Sequence, residues 1–173
     1  MYSNSNIFPK TEFERRFTTL ENWANENDAL LIKDNYDETE WSSRVVKYGE
    51  AEANTPKRLE RCGECYQLRL EHAAKFASAN DIKYLSSTLA VSPYQYYEEL
   101  KHRLEIVCEQ YKLKPVFMDF RPFYREATRE SKEQNMYRQK YCGCAFSYNE
   151  SMEQFKRTNK TKYIEELKTI ISD

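Results

Sequence analysis

Four cysteines in two tight pairs, Cys62-Gly63-Glu64-Cys65 and Cys142-Gly143-Cys144, are the residues whose type and spacing most directly imply chemistry. Thiolates are soft ligands, and four of them close a tetrahedral zinc site or supply most of an iron–sulfur site. A thioredoxin-like dithiol shares the C-x-x-C spacing, but Gly-Glu is an unusual interior for it and the second pair would then have no role. Reduced cysteines without metal are the bland alternative, and two such close spacings argue against it. Cys108 lies on the apolar face of a helical pattern and reads as core. His72 and His102 fall within helical patterns and read as surface or core residues. Asp119 follows the apolar run Pro115-Val116-Phe117-Met118, and α/β proteins place ligand contacts at strand ends; a helix cap is the competing reading. Tyr66, Tyr94 and Tyr141 lie beside these motifs and are candidates to stack on a base.

These groups need elements to position them. Thr11 with Glu14 forms a capping-box pattern before Phe13, Phe17, Leu20 and Ala24, which predicts an amphipathic helix from Pro9 or Thr11. Ala29-Leu30-Leu31-Ile32 reads as a short buried strand, and Asp37 with Glu40 caps a helix running towards Val46. Tyr66, Leu70, Ala73, Ala74 and Ala77 form a helical stripe that puts Cys62 and Cys65 at a helix N-terminus, where the dipole favours thiolate. Residues 84–89 read as a strand, and Ser92-Pro93 opens a helix with Leu100, Leu104, Val107 and Cys108 on one face. Residues 115–118 read as another strand. Ser131 with Gln134 caps a helix running into Cys142, and a last helix carries Ile164, Leu167, Ile170 and Ile171. Strands alternating with helices imply an α/β fold, a parallel sheet flanked by helices, in one domain over 1–173. Gly63 and Gly143 would let a loop approach a ligand closely or adopt positive φ.

Composition narrows the classes. With 32% charged and 40% apolar residues in 173, the chain is neither a disordered tail nor a membrane protein. No apolar run approaches the roughly 18 residues that a span needs. The N-terminus shows no basic region followed by an apolar one, so no secretory signal is expected and the expected setting is a reducing cytoplasm. A net charge of −1 excludes a strongly basic nucleic-acid binder. Locally, Arg121, Arg125, Arg129, Lys132, Arg138 and Lys140 outnumber Glu126, Glu130 and Glu133, and Arg61 and Arg69 flank the first cysteine pair. Such a patch can serve a polyanion, although a solvated helix face explains the run equally.

Several segments taken together resemble one known family. They are Asn4-Ser5-Asn6-Ile7-Phe8-Pro9, Glu60-Arg61-Cys62-Gly63-Glu64-Cys65-Tyr66 with Arg69-Leu70, Ser87-Thr88-Leu89 with Ser92-Pro93-Tyr94, Asp119-Phe120-Arg121, and Tyr137-Arg138-Gln139-Lys140-Tyr141-Cys142-Gly143-Cys144 with Phe146-Ser147. In order and spacing, over nearly the whole chain, they resemble the QueH type of epoxyqueuosine reductase. The resemblance implies an adenine-nucleotide hydrolase-like (HUP/Rossmann-like) fold and removal of the epoxide oxygen from epoxyqueuosine at a tRNA wobble position, the last step of queuosine synthesis. It implies a 4Fe–4S cluster with a nearby mononuclear iron, fed by an external electron donor. Cys62, Cys65, Cys142 and Cys144, within segments 60–66 and 141–146, would be its ligands. Asp119 would be a ligand or proton donor, and Arg121, Arg138 and Lys140 would hold anticodon phosphates. The family pattern also opens with a strand and a tandem Cys-Cys motif that this chain lacks, so an N-terminally truncated fold is expected. Two other readings follow: a zinc-stabilised, non-catalytic RNA-binding module, or an inactive truncated remnant of the reductase.

Overall fold

The three- and four-residue spacing of apolar side chains makes one stripe of α1 (Lys10–Glu26) bury Phe13, Phe17 and Ala24. It is the first of seven α-helices in the computed structural model, which describes residues 1–172. The chain forms two compact units, Met1–Glu40 with Asn135–Asp173, and Trp41–Gln134.

In the first unit, α1 is accompanied by a helical hairpin of α6 (Ala145–Arg157) and α7 (Thr161–Ser172). Tyr2, Ile7, Phe13 and Phe17 form one apolar cluster, and Tyr141, Tyr148, Leu167 and Ile170 form another. Tyr148 Oη donates to the Leu167 carbonyl at 3.2 Å, which joins α6 to α7. Thr11 is not a cap. The helix begins one residue earlier, after Pro9, so the Thr11 hydroxyl lies in its first turn and donates to the Ile170 carbonyl at 2.7 Å. Ile171, expected on the buried face of α7, is 49% exposed.

The buried strand expected at 29–32 does not form. Ala29 N–H returns to the Ala24 carbonyl at 2.8 Å and closes α1, and Leu30 is 89% exposed. The chain beyond is extended but has one neighbour: Tyr2 and Lys33 make an isolated parallel bridge. A continuous apolar run thus misled, because only Leu31 of it packs on the core.

The second unit holds α2 (Glu38–Val45) from Trp41 onward, then α3 (Pro56–Ala79), β1 (Tyr84–Leu85), α4 (Tyr97–Tyr111), β2 (Lys114–Pro115) and α5 (Tyr124–Glu133). Asp37 caps α2 as expected, its Oδ1 accepting from Thr39 N at 2.9 Å and Glu40 N at 3.2 Å. Leu70 and Ala74 of α3 meet Leu100, Leu104, Val107 and Cys108 of α4 in the principal core, as the periodicity predicts. β1 and β2 pair in parallel with Tyr84 opposite Lys114 and Leu85 opposite Pro115, and α4 is their crossover. The sheet is far smaller than expected. Ser87 Oγ accepts from Leu89 N at 3.3 Å and turns the chain into a 3-10 segment, Thr88–Val91, which ends β1 after two residues. β2 likewise stops at Pro115, and 116–118 is irregular. Ser92-Pro93 lies in a turn before α4, not at its start. α5 ends at Glu133, well short of Cys142, where Asn135 adopts φ +52° and breaks the helical path.

Leu104 has no exposed surface. Leu104→Ala is expected to lower the unfolding free energy by about 2–5 kcal/mol, measured by urea denaturation.

Candidate metal centre

α3 starts at Pro56, with Thr55 Oγ1 accepting from Arg58 N at 3.4 Å as its cap. The unpaired N–H groups and the dipole end therefore fall before Cys62, which lies in the second turn; the expected helix N-terminus at this pair is corrected. Helical geometry instead sets Cys62 and Cys65 three residues apart on one face, both half-buried.

Gly63 also has a different reason from the one expected. It is helical and buried, and a Cβ there would stand 2.4 Å from Glu99 Oε1 and 2.9 Å from Arg103 Nη2. The Glu99–Arg103 pair, at 2.7 Å, presses α4 against α3 at this point. Arg61 is likewise structural: it is 3% exposed and donates to the Gly49 carbonyl at 2.7 Å, so it offers no charge to a polyanion. Tyr66 is 3% exposed, donates to Gln95 Oε1 at 2.9 Å and accepts from Tyr96 N at 3.1 Å. Its ring is packing material and presents no face to a base.

The second pair sits on a loop that the first unit grips from several sides. Glu12, with no exposed surface, accepts from Arg16 Nε at 2.8 Å. Tyr137 Oη reaches both carboxylate oxygens of Glu12, at 3.0 and 2.9 Å. Arg16 then spends its remaining nitrogens on the loop, Nη1 on the Cys142 carbonyl at 3.0 Å and Nη2 on the Tyr141 carbonyl at 3.1 Å. Burial, reinforced by the Glu12 charge, pushes Tyr137 up to about 12, so the phenol keeps the proton it donates. Phe8 N donates to the Gly143 carbonyl at 2.9 Å, and Tyr141 Oη donates to the Phe8 carbonyl.

Gly143 meets its expectation of positive φ, at +149°, with Ile7 Cγ1 3.2 Å from where a Cβ would stand. Its N–H donates to Ser147 Oγ at 3.1 Å. Cys144 caps α6, its sulfur accepting from Ser147 N at 3.5 Å, so the helix-dipole position expected for the first pair belongs to the second. Cys142 is exposed and Cys144 half-buried. Tyr141 is 5% exposed, edge-on to Tyr148 at 5.4 Å and covered by the Arg16 guanidinium at 5.1 Å. Its faces too are taken.

Asp119 lies beyond β2 in the second unit and is held by one partner. Arg121 donates through Nε to Oδ1 at 2.8 Å and through Nη2 to Oδ2 at 2.7 Å, while its guanidinium stacks over Tyr97 at 4.0 Å. Hydrogen bonding to Arg121 holds Asp119 below the ordinary carboxylate range. The two-pronged contact from Arg121 fixes the orientation of the Asp119 carboxyl group. Tyr94, 79% exposed, keeps an open face. The basic run from Arg121 to Lys140 divides between the two units, with Arg129 shared between Glu126 at 3.7 Å and Glu133 at 3.8 Å.

The donor chemistry fits a soft metal or iron–sulfur group: none of the cysteines forms a disulfide, and each pair supplies two accessible thiols in its own unit. Among the described residues no group of three or more His, Cys, Asp or Glu side chains is gathered in ligating range. Cys108 is excluded as a ligand, since it is 1% exposed and burial pushes its thiol up. Glu12, Arg16 and Tyr137 went unrecognised as supports. Their only signal was an i, i+4 Glu/Arg spacing, which solvated helix faces share.

Two outcomes follow. Arg16→Ala strands Glu12 in the interior and is expected to cost about 3–5 kcal/mol in chemical denaturation, with faster amide exchange at Gly143. Arg121→Ala is expected to raise the Asp119 pKa towards its ordinary value, read from the carboxyl carbon shift in an NMR titration.

A family model described as Epoxyqueuosine reductase QueH matches residues 1–150, a span that contains all four paired cysteines. Among curated relatives, "Epoxyqueuosine reductase QueH" of Thermotoga maritima is 31% identical over 157 residues, covering 88% of this chain and 80% of the relative. The protein of that name from Dehalococcoides mccartyi is 29% identical over 145 residues, covering 83% and 75%. That of Staphylococcus epidermidis is 29% identical over 165 residues, covering 92% and 69%. Both motifs stand inside the matched span, and the chain belongs to the epoxyqueuosine reductase QueH family.

Proposed function

We propose that this chain reduces epoxyqueuosine to queuosine in tRNA, with Cys62, Cys65, Cys142 and Cys144 as ligands of a 4Fe–4S cluster beside a mononuclear iron. The observation that carries the reading is the family match across residues 1–150, with all four paired cysteines inside it. Removing an epoxide oxygen as water consumes two electrons and two protons and leaves a double bond. The bound cluster and iron would supply the electron relay and the Lewis acidity for that change, with electrons from an external donor.

The chain's own residues hold the centre and the substrate. The rigid turn of α3 presents two thiols, and the Glu12–Arg16–Tyr137 network holds the loop that presents the other two. Asp119, oriented by Arg121, serves as a ligand or a proton donor at the centre. Tyr94 offers its exposed ring to a base splayed from the anticodon loop. Arg138 and Lys140, directly before the second motif, contact phosphates. The β1–α4–β2 crossover, with the isolated parallel bridge of Tyr2 to Lys33 across α1, supports an adenine-nucleotide hydrolase-like fold acting as one functional domain. The nature of the reaction assigns the protein to the cytoplasm, and among the described residues no helix is long and apolar enough to cross a membrane.

Anaerobic reconstitution with iron and sulfide, then incubation with epoxyqueuosine-containing tRNA and a reductant, should yield queuosine by mass spectrometry. Cys62→Ser or Cys144→Ser should lose iron, acid-labile sulfide and product together, while Cys108→Ser keeps all three. Zinc bound without iron or sulfide, and no product, would replace the reductase with a zinc-stabilised module.

A further inference from the structure

We propose that one face of α5, carrying Arg125, Arg129 and Lys132, together with the rings of Phe123 and Tyr124 at its start, is a docking track for a single-stranded segment of RNA. This rests on the tRNA reading above and extends it from the base that Tyr94 takes to the strand beside that base. All five residues of the track lie in the second unit. α5 buries none of its side chains, so no core requirement dictates which residues stand on it. Arg125, Arg129 and Lys132 recur at four and three residues and share one stripe. Glu126, Glu130 and Glu133 follow the same spacing one position on, which sets them about 100° round the helix. The helix therefore segregates its charges.

Two of the three cations are uncommitted. Among the described residues, the Arg125 and Lys132 side chains make no hydrogen bond or ion pair, and both residues are exposed. Arg129 is shared between Glu126 and Glu133 at 3.7 and 3.8 Å, surface pairs weak enough for a phosphate to displace. The aromatic end is equally open. Phe123 is 57% exposed and makes no ring contact among the described residues. Tyr124 stands edge-on to Tyr94, with centroids 5.9 Å apart and planes at 83°, so the two rings form a right-angled corner. Arg121 N donates to Asp119 Oδ1 at 3.0 Å and Phe123 N to the Phe120 carbonyl at 3.0 Å. These bonds fix the 3-10 turn, Arg121–Phe123, that leads into α5, so the rings are presented from a held backbone.

Exposed rings beside unpaired cations match one class of partner. Bases stack on rings whatever their sequence while phosphates neutralise the stripe, and a single strand offers both at once because its bases are unpaired. A duplex hides its base faces, and an acidic protein would leave Phe123 and the Tyr94–Tyr124 corner without a role. Arg125 and Lys132 are separated by roughly 10 Å along the helix axis, so the stripe spans more than one phosphate.

The test uses the full chain and an unmodified anticodon stem-loop RNA, with affinity read by fluorescence anisotropy over a series of salt concentrations. Arg125→Ala and Lys132→Ala are each expected to flatten the log K against log salt slope by about 0.7, one phosphate contact apiece. Phe123→Ala should weaken binding roughly fivefold or more at every salt concentration and leave the slope unchanged. Lys101→Ala, which removes an exposed cation of the same unit on α4, should change neither quantity. Equal losses from Lys101→Ala and Arg125→Ala would overturn the track. So would a stem-only duplex that binds as tightly as the stem-loop, or an absence of RNA binding by the parent chain. Binding of poly-glutamate that Arg125→Ala abolishes, with RNA affinity unchanged, would reassign the face to an acidic protein. No epoxide or reductant enters the assay, so a chain that fails as a reductase can still pass, and an active reductase can still fail.

Discussion

Much of the first unit depends on a carboxylate that water cannot reach. Taking Glu12 out of solvent costs several kcal/mol, and the structure offsets that with one guanidinium and one phenol. A single Glu–Arg pair would leave most of the guanidinium donors to be satisfied elsewhere. Here they are satisfied by the carbonyls of Tyr141 and Cys142. The pair is thus a fixed post on α1 to which an otherwise irregular loop is tied, and the tether acts on the backbone carbonyls and not on the sulfurs.

The two cysteine pairs are positioned by different physics. Cys62 and Cys65 need nothing beyond the continuity of α3 and the close approach of α4 that Gly63 permits. Cys142 and Cys144 lie in chain with no repeating hydrogen-bond pattern until Cys144 opens α6, so their geometry is assembled from long-range contacts to Phe8 and Arg16 together with the local bond from Gly143 to Ser147. Segments so held are ordered only as long as their remote partners are, which makes this loop the more responsive half of the pair of motifs.

What could be read from the sequence follows the same division. The buried faces of α1, α3 and α4 were legible because three- and four-residue spacing reports burial directly, and the family was legible because two cysteine pairs stand among its other segments in order and spacing. The strands were overread. Apolar runs at 29–32 and 115–118 carry strand propensity, but Ser87, Pro115 and the exposed Leu30 mark where pairing stops, and those are matters of partner and not of pattern. The place of Cys62 in α3 was missed because Thr55-Pro56, a strong start signal, lies a full turn and more before the apolar stripe begins. The loop supports were invisible for a simpler reason: Glu12 and Tyr137 are 125 residues apart.

The placement of Cys62 and Cys65 inside a continuous helix has a consequence for oxidative damage. Side chains three apart on a helix carry their Cβ atoms on the order of 5–6 Å from one another, while a disulfide draws them to about 3.5–4.5 Å. Closing that bond would require α3 to unwind locally, against the packing of Glu99 and Arg103 at Gly63. The backbone therefore shields these two sulfurs from each other, and an oxidant in solution reaches first for the exposed Cys142.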